Sequence, residues 1–406
     1  MSKICLVTPG HLHSNPRLRK EVLALKQTGY QVSVFAIQTL QELIPFDHNF
    51  VEANPEVEFH FLKATKRTTW DYLRIKTNMR KRLYTMLFRW QKSFSIKAFA
   101  RFYVEQVRMV QTCKADLYIA HNLAALPVAA AVARYHCKPF AFDAEDFHRG
   151  EFEADSLEAH LIQFIEDKFI PKVAYLSAAS PLIAEAYQQL YSPVTPIVIN
   201  NVFALDQQPP APKVTNKKGH GSLKLFWFSQ TVGTNRGIQD VLNALKLLPD
   251  IPVQIGLLGS CDESTQLYFQ SFIQSPQHQL EFFSQCTEQE LIDLSAQYDI
   301  GLATEPGFSS NNDKALSNKI FTYLLAGNAI LASNTNAQKH FMQFYSNIGA
   351  SYPIGGLEEI AKYLRNWWAH YDELQNIRQA AWTLARQELN WDKEQICFLD
   401  VIKRTI

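Results

Sequence analysis

The chain alternates short apolar runs with longer stretches of helical periodicity, and it does so twice. The first series of runs lies at 4–7, 32–37, 117–120, 140–142, 175–178 and 197–199, with helical patterns over 16–28, 124–135 and 181–190. Strand-length apolar runs separated by helices are the mark of a parallel sheet covered on both faces. The segment 206–222, DQQPPAPKVTNKKGHGS, then breaks the pattern with proline, glycine and polar residues and reads as a linker. The pattern restarts with runs at 223–228, 253–258, 280–283, 300–303 and 329–332. Helical stretches fill the gaps near 237–248, 288–297 and 318–326, and 357–403 looks helical throughout. The expectation is an α/β chain of two doubly wound, Rossmann-like domains with a cleft between them. They would cover 1–205 and 223–385, with a C-terminal helix over 386–406 packing back on the first. A chain of 406 residues is long enough for two cores. Ligands in such sheets lie beyond the carboxyl ends of the strands, so a site is expected in the loops that follow the runs.

Composition removes several classes of function. A net charge of +1, with no nucleic-acid-binding motif, gives no reason to expect a nucleic-acid partner. The cysteines are scattered without a C-x-x-C pair, which argues for reduced thiols in a cytosolic protein and against a disulfide scaffold or zinc site. No metal-ligating cluster is evident, so neither a metal nor another cofactor is expected. The run at 4–7 meets Pro9-Gly10 at once and is too short for a signal peptide. The longest apolar candidate, 117–133, is broken by His121, Asn122 and Pro127, too polar for a membrane span. Neither a P-loop nor a strand-to-helix G-x-G-x-x-G occurs, which weakens nucleotide hydrolysis and hydride transfer alike.

Three helix starts carry cations, although the helix dipole favours anions there. Lys319 lies in ALSNKIFTYLLAG, where Ser317 or Asn318 can cap and Gly327 can close the helix in the left-handed conformation. Arg236 follows the strand ending at Phe228, in FSQTVGTNRG, where Asn235 can cap a helix near Gly237. Gly233 and Gly237 would let backbone approach a ligand closely. Arg17, Arg19 and Lys20 follow Ser14-Asn15-Pro16, with Ser14 or Asn15 as cap and Pro16 at the first helical position. Such cations make sense if an anion binds between them and the free backbone N–H groups. Alternatively each side chain snorkels into water at a cost of a few tenths of a kcal/mol. Lys319 would act as a point charge, and Arg236 could hold two phosphate oxygens. His121 ends a buried run and is followed by Asn122. It either donates to a ligand or is a histidine bonded into the core. Asp143, Glu145 and Asp146 end another run, to contact a ligand or to cap the loop at 147–151.

Taken in order, these segments resemble glycosyltransferase family 4, retaining enzymes of GT-B fold that use nucleotide-sugar donors. Similar to the family are SNPRLRKE at 14–21, TGYQV at 28–32, DLYIAHN at 116–122, FDAED at 142–146, IVINN at 197–201, NRG at 235–237 and 317–327. The resemblance implies that Arg236 and Lys319 hold the donor diphosphate and that His121 lies near the transferred sugar, making these three the catalytic candidates. Ser229, Gln230 and Asn318 would line the donor pocket. Ser14, Asn15, Arg17, Asp143 and Glu145 would face a glycan or lipid-linked acceptor, as in polysaccharide biosynthesis. One departure stands out: the family carries a ribose-binding glutamate where this chain has Thr322, and Glu305 or Asp313 would have to replace it. Two other readings stay open, a catalytically silent GT-B binding or scaffold subunit and a nucleotide-sugar epimerase.

Residues 63–101 form a basic, aromatic stretch. Lys63, Lys66, Arg67, Arg74, Lys76, Arg80, Lys81, Arg82, Arg89, Lys92, Lys97 and Arg101 face only Asp71, and Trp70, Leu73, Met79 and Phe99 are interleaved. Leu83, Leu87, Trp90 and Phe94 follow helical spacing. The stretch is expected either to lie on an anionic membrane surface or to pack between elements with its cations solvated. A cytoplasmic location follows, peripheral to the inner face of the membrane in the first case.

Overall fold

The computed structural model describes residues 1–65, 71–192, 194–213 and 221–406. The chain divides into two compact units, Met1–Asn200 with Gln395–Ile406, and Asn201–Glu394. Lys66, Arg67, Trp70 and the central part of the expected linker, 214–220, lie outside the described residues.

The first unit is built on β1 (Lys3–Val7), β2 (Gln31–Gln38), β3 (Glu58–Lys63), β4 (Leu117–His121), β5 (Phe140–Ala144), β6 (Leu176–Ala178) and β7 (Ile197–Val198). They form one sheet in the order β3-β2-β1-β4-β5-β6-β7, parallel throughout. The central strands are apolar because helices cover both faces, and Ile4, Leu6, Val34, Leu117, Ile119 and Phe142 are buried. The chain leaves β1 for β2 and β3 on one side and resumes with β4 on the other. The carboxyl ends of β1 and β4 therefore flank the point where strand order reverses. Helix Pro16–Gln27 starts there: Asn15 Oδ1 accepts from the Leu18 N–H at 2.9 Å, and Pro16 takes the first turn.

The second unit repeats the plan with β8 (Leu223–Thr231), β9 (Val253–Ser260), β10 (His278–Phe283), β11 (Ile300–Ala303), β12 (Ala329–Ser333) and β13 (Gly349–Tyr352). The order is β10-β9-β8-β11-β12-β13, again parallel. Its core packs Leu225, Trp227, Ile255, Leu257 and Leu331 against Leu242, Leu364 and Trp367. Here the order reverses between β8 and β11. Helix Asn318–Ala326 runs back to β12 and closes at Gly327, which is left-handed at φ 76° as expected. The Gly327 carbonyl accepts from Arg378 Nε at 3.0 Å, and Arg378 pairs with Asp299 at 3.1 Å inside the core.

Several sequence expectations are sharpened or corrected, and others hold. The pattern over 357–403 is three helices, Leu357–Ala369, Tyr371–Gln387 and Trp391–Thr405. The near end of the expected linker is tied down, since Gln208 donates to the Trp382 carbonyl and Trp382 Nε1 donates to the Pro209 carbonyl. In the basic stretch, helix Tyr72–Phe88 stops before Trp90, and Leu87 and Phe94 are half-buried, so the predicted stripe is not the exposed one. No disulfide joins any of the six cysteines. Among the described residues no helix is long and apolar enough to cross a membrane.

Candidate functional site

The reversal point of the second unit gathers most of the expected donor residues. Arg236 lies in the loop after β8, and its carbonyl accepts a 2.7 Å hydrogen bond from Thr304 Oγ1, just beyond β11. The next residue, Glu305, accepts from Lys319 Nζ at 2.7 Å and from Ser317 Oγ at 2.8 Å. Arg236 and Lys319 are thus joined to one β11 edge through adjacent residues. Gly237, not Asn235, caps the following helix, Ile238–Ala244. Its φ is +72°, and a Cβ there would lie 2.2 Å from the Thr304 carbonyl oxygen, so only glycine lets the two loops meet.

Two cations, Arg236 and Lys319, stand with one carboxylate, Glu305, at this edge. Glu305 is largely buried, which would raise its carboxyl, but the Lys319 ammonium outweighs burial and holds it below its ordinary value. This pair accounts for the lysine in a first helical turn: a carboxylate stands beside it at the positive end of the dipole. Ser317 spends its hydroxyl on Glu305 rather than on capping the helix. The Arg236 side chain differs, because its Nε is buried and meets no hydrogen-bond partner among the described residues. A buried, unsatisfied guanidinium nitrogen is costly unless a ligand completes it.

The other donor candidates divide. Ser229 is half-buried on β8, and Gln230 is exposed with its carbonyl bonded to Gln285 Nε2 at 2.8 Å. Asn318 is exposed. Thr322, at the position where the family carries its ribose-binding glutamate, is buried within its helix, away from a ligand. Asp313 binds the backbone and side chain of Asn336, so of the two proposed replacements only Glu305 lies beside Lys319. An open pocket of about 380 Å³ adjoins this loop at the ends of β9 and β10, lined by Gly259, Ser260, Cys261, Phe282, Phe283 and Gln285 among others.

The first unit brings its candidates together differently. β4 and β5 are paired so that His121 is opposite Asp143. Arg17 reaches from helix Pro16–Gln27 and donates from Nη2 and Nε to the two Asp143 oxygens at 2.6 and 2.8 Å, and from Nη1 to the Ile199 carbonyl at 2.6 Å. Ser177 donates to the same carboxylate at 2.6 Å. Arg17 and Asp143 are buried and committed to each other, and Asn15 is committed to capping. All three were expected to face an acceptor, and the structure instead gives them a bracing role. Ser14 is exposed on the loop, and Glu145 is half-buried. The short helix His148–Gly150 that follows these acids has Phe147 at its N-cap, without a side-chain cap from that residue.

His121 lies at the centre of this group. Its Nε2 is 3.0 Å from a Glu21 oxygen, and its Nδ1 is 3.4 Å from Asp143 and 3.8 Å from Glu145. Burial would lower the imidazole pKa, but the facing carboxylates of Glu21, Asp143 and Glu145 raise it well above its usual value. Burial in turn raises the Glu21 carboxyl, against the pull of His121. Asn122 follows in a left-handed conformation at φ 71°, which turns the chain sharply after the histidine. Glu21, His121 and Asp143 offer ligand atoms within 4.8 Å of one another, a convergence not evident in the sequence. A metal ion does not fit well, because Arg17 already occupies both Asp143 oxygens and another cation would face its guanidinium. The trio suits a proton on His121. Glu21 is the site residue that the sequence reading missed. Its only signal was a carboxylate on a helix face otherwise filled by Leu18, Val22 and Leu25.

No protein-family model matches the chain, and the comparison with curated proteins gives no match. Solved structures do match over the whole length. HepE from Anabaena, solved in complex with UDP and glucose, superposes with a TM-score of 0.69 at 14% identity, covering 100% of both chains. The chain has the GT-B fold. Two further structures agree: sucrose-phosphate synthase from Thermosynechococcus elongatus, TM-score 0.68 at 13% identity, covering 100% of this chain and 99% of that one, and a glycosyltransferase from Rickettsia africae, TM-score 0.67 at 13% identity, covering 100% and 98%. At such identities the likeness establishes architecture alone. The GT-B scaffold nevertheless accounts for both strand-order reversals, which present the Arg236 and His121 groups at equivalent edges of the two sheets.

Proposed function

We propose that the chain is a glycosyltransferase that moves a sugar from a nucleoside diphosphate to a hydroxyl of a glycan or lipid-linked acceptor. The carrying observation is that the Arg236 backbone and the Lys319 ammonium are tied to the adjacent residues Thr304 and Glu305 at the β8–β11 reversal, with Arg236 Nε buried and without a hydrogen-bond partner among the described residues. Diphosphate oxygens would complete the guanidinium bidentately, and the ammonium would add a point charge. Stabilising the leaving diphosphate is the main electrostatic demand of the reaction, and these two side chains meet it without a metal. The pocket beside β9 and β10 offers room for part of the nucleoside. Glu305 stands beside Lys319, where it can accept from ribose hydroxyls in place of the glutamate that Thr322 replaces. The family resemblance would put His121 near the transferred sugar, and the facing carboxylates of Glu21, Asp143 and Glu145 favour its protonated form. Retention at the anomeric carbon follows from the family resemblance. UDP and glucose in the Anabaena neighbour support a nucleotide-sugar donor.

The test is a donor screen with mass-spectrometric detection of product, with the anomeric configuration read by nuclear magnetic resonance. Turnover of a nucleotide sugar in the presence of an acceptor is expected, and it should be lost in Arg236→Ala and Lys319→Ala while the fold is retained. A product formed without acceptor, and epimeric to the donor, would contradict the reading. A silent binding subunit is the second reading, favoured by the Lys319–Glu305 pair and the buried Thr322. Donor binding without turnover under any acceptor would select it.

A further inference from the structure

The helix Tyr72–Phe88 leaves one face uncovered. Tyr72, Ile75, Met79, Leu83 and Met86 are exposed along it, and Trp90 continues the line just past its end. Trp90 is 90% exposed, Met86 69% and Met79 67%, values far above those of a core-facing side chain. At 3.6 residues per turn these positions fall within an arc of about 80°. The opposite face carries the packing: Thr77 and Phe88 are buried, and Phe88 joins Ala98 and Leu161 in a small cluster. The amphipathic pattern is therefore doubled, with one apolar side spent on the fold and the other open.

Charge says what covers the open side. Lys76 flanks the stripe on one edge, with Arg82 and Arg89 on the other, and all three are exposed. Arg74, Arg80 and Arg101 turn inward instead: Arg74 donates to the Ala64 carbonyl, Arg80 to Glu105, and Arg101 to Thr77. Of the exposed cations, Lys76, Arg82 and Arg89 thus border the apolar stripe, and Lys81 lies on the opposite face of the helix. No acidic residue occurs within the helix. At its end an open groove of about 590 Å³ is lined by Thr85, Met86, Arg89, Trp90 and Leu157. A smaller one adjoins it, lined by Arg89, Lys92, Asp155 and His160 among others.

We propose that this face docks on an anionic lipid bilayer, with Met79, Leu83, Met86 and Trp90 entering the interface and Lys76, Arg82, Arg89 and Lys92 meeting lipid phosphates. An apolar stripe edged by cations matches the apolar depth and negative surface of such a membrane together. The inference stands apart from the proposed transfer reaction, since it uses none of the residues assigned to it.

The experiment is co-sedimentation of the full chain with phosphatidylcholine vesicles, with and without phosphatidylglycerol, at low and high salt. Binding is expected with the anionic vesicles and should weaken with salt. Arg82→Gln with Arg89→Gln should lower the partition coefficient roughly fivefold per cation removed. Leu83→Ser with Met86→Ser should abolish binding with an unchanged thermal midpoint, and Lys339→Glu, an exposed cation on the other unit, should leave it intact. Tryptophan emission should shift to the blue on binding, and Trp90→Phe should remove most of the shift. Absence of binding at low salt would overturn the proposal, as would binding indifferent to the stripe variants. Self-association that depends on Leu83 and Met86, without vesicle binding, would assign the face to a second copy and equally overturn it.

Discussion

Arg17, Asp143, His121 and Glu21 form a buried set of charges in which each depends on its neighbours. Removing one partner of a buried ion pair leaves an uncompensated charge, so Asp143→Asn should destabilise the first unit by about 3–5 kcal/mol. Denaturant titration followed by circular dichroism measures this, and a loss below 1 kcal/mol would deny the bracing role. The pH dependence has a definite sign. The folded pKa of His121 is raised, so its contribution is full below the unfolded value of about 6.5 and is lost as pH rises through the folded one. Asp143 is depressed, with burial opposing and Arg17 prevailing. Its contribution is present above the unfolded value of about 3.9 and is lost as pH falls through the folded one. Thermal midpoints of the wild type and His121→Gln should therefore differ most at mildly acidic pH, below about 6.5, and converge at alkaline pH. A difference that grows with alkalinity would show that the imidazole is held neutral. In the second unit, Glu305→Gln releases Lys319 from its internal partner. If the carboxylate serves ribose, nucleotide binding weakens. If it only neutralises Lys319, inorganic pyrophosphate binds more tightly, which calorimetry separates.

The elements owe their placement to the reversal of strand order, and Gly237 is the point where it is most constrained. Gly237→Ala would place a methyl group against the Thr304 carbonyl at positive φ. Strain of about 1–3 kcal/mol is expected, and because Arg236 is adjacent, nucleoside diphosphate affinity should fall with the midpoint. Loss of stability with affinity intact would separate the turn from the site. Most elements were legible because strands buried on both faces read as unbroken apolar runs. β3 and β13 were not, since EFHFLK is half-exposed at a sheet edge and GASY carries little apolar bulk. The C-terminal helices merged into one pattern because His370 and Glu388–Asn390 break the chain without proline or glycine. Within the site, Lys319 and Arg236 were legible as charges opposed to a helix dipole. Their partners were not: Glu305 is fourteen positions from Lys319 and Thr304 sixty-eight from Arg236, separations that only the sheet order closes.

At the scale of the whole molecule, nearly equal numbers of cations and anions give a net charge of +1. Both proposals therefore rest on local concentrations of charge, at the β8–β11 edge and along helix Tyr72–Phe88. Each unit has its own core, so a donor bound to the second unit should stabilise that unit in particular. A ligand at about 100 times its dissociation constant adds about 2.7 kcal/mol to the unit that binds it. The most direct measurement is calorimetric titration of the wild type, Arg236→Ala and Lys319→Ala with UDP, GDP, ADP and CDP. Saturable binding of at least one nucleoside diphosphate to the wild type, weakened tenfold or more by each variant, is the predicted result (a loss of about 1.4 kcal/mol). No binding by the wild type, or binding indifferent to both substitutions, would contradict it.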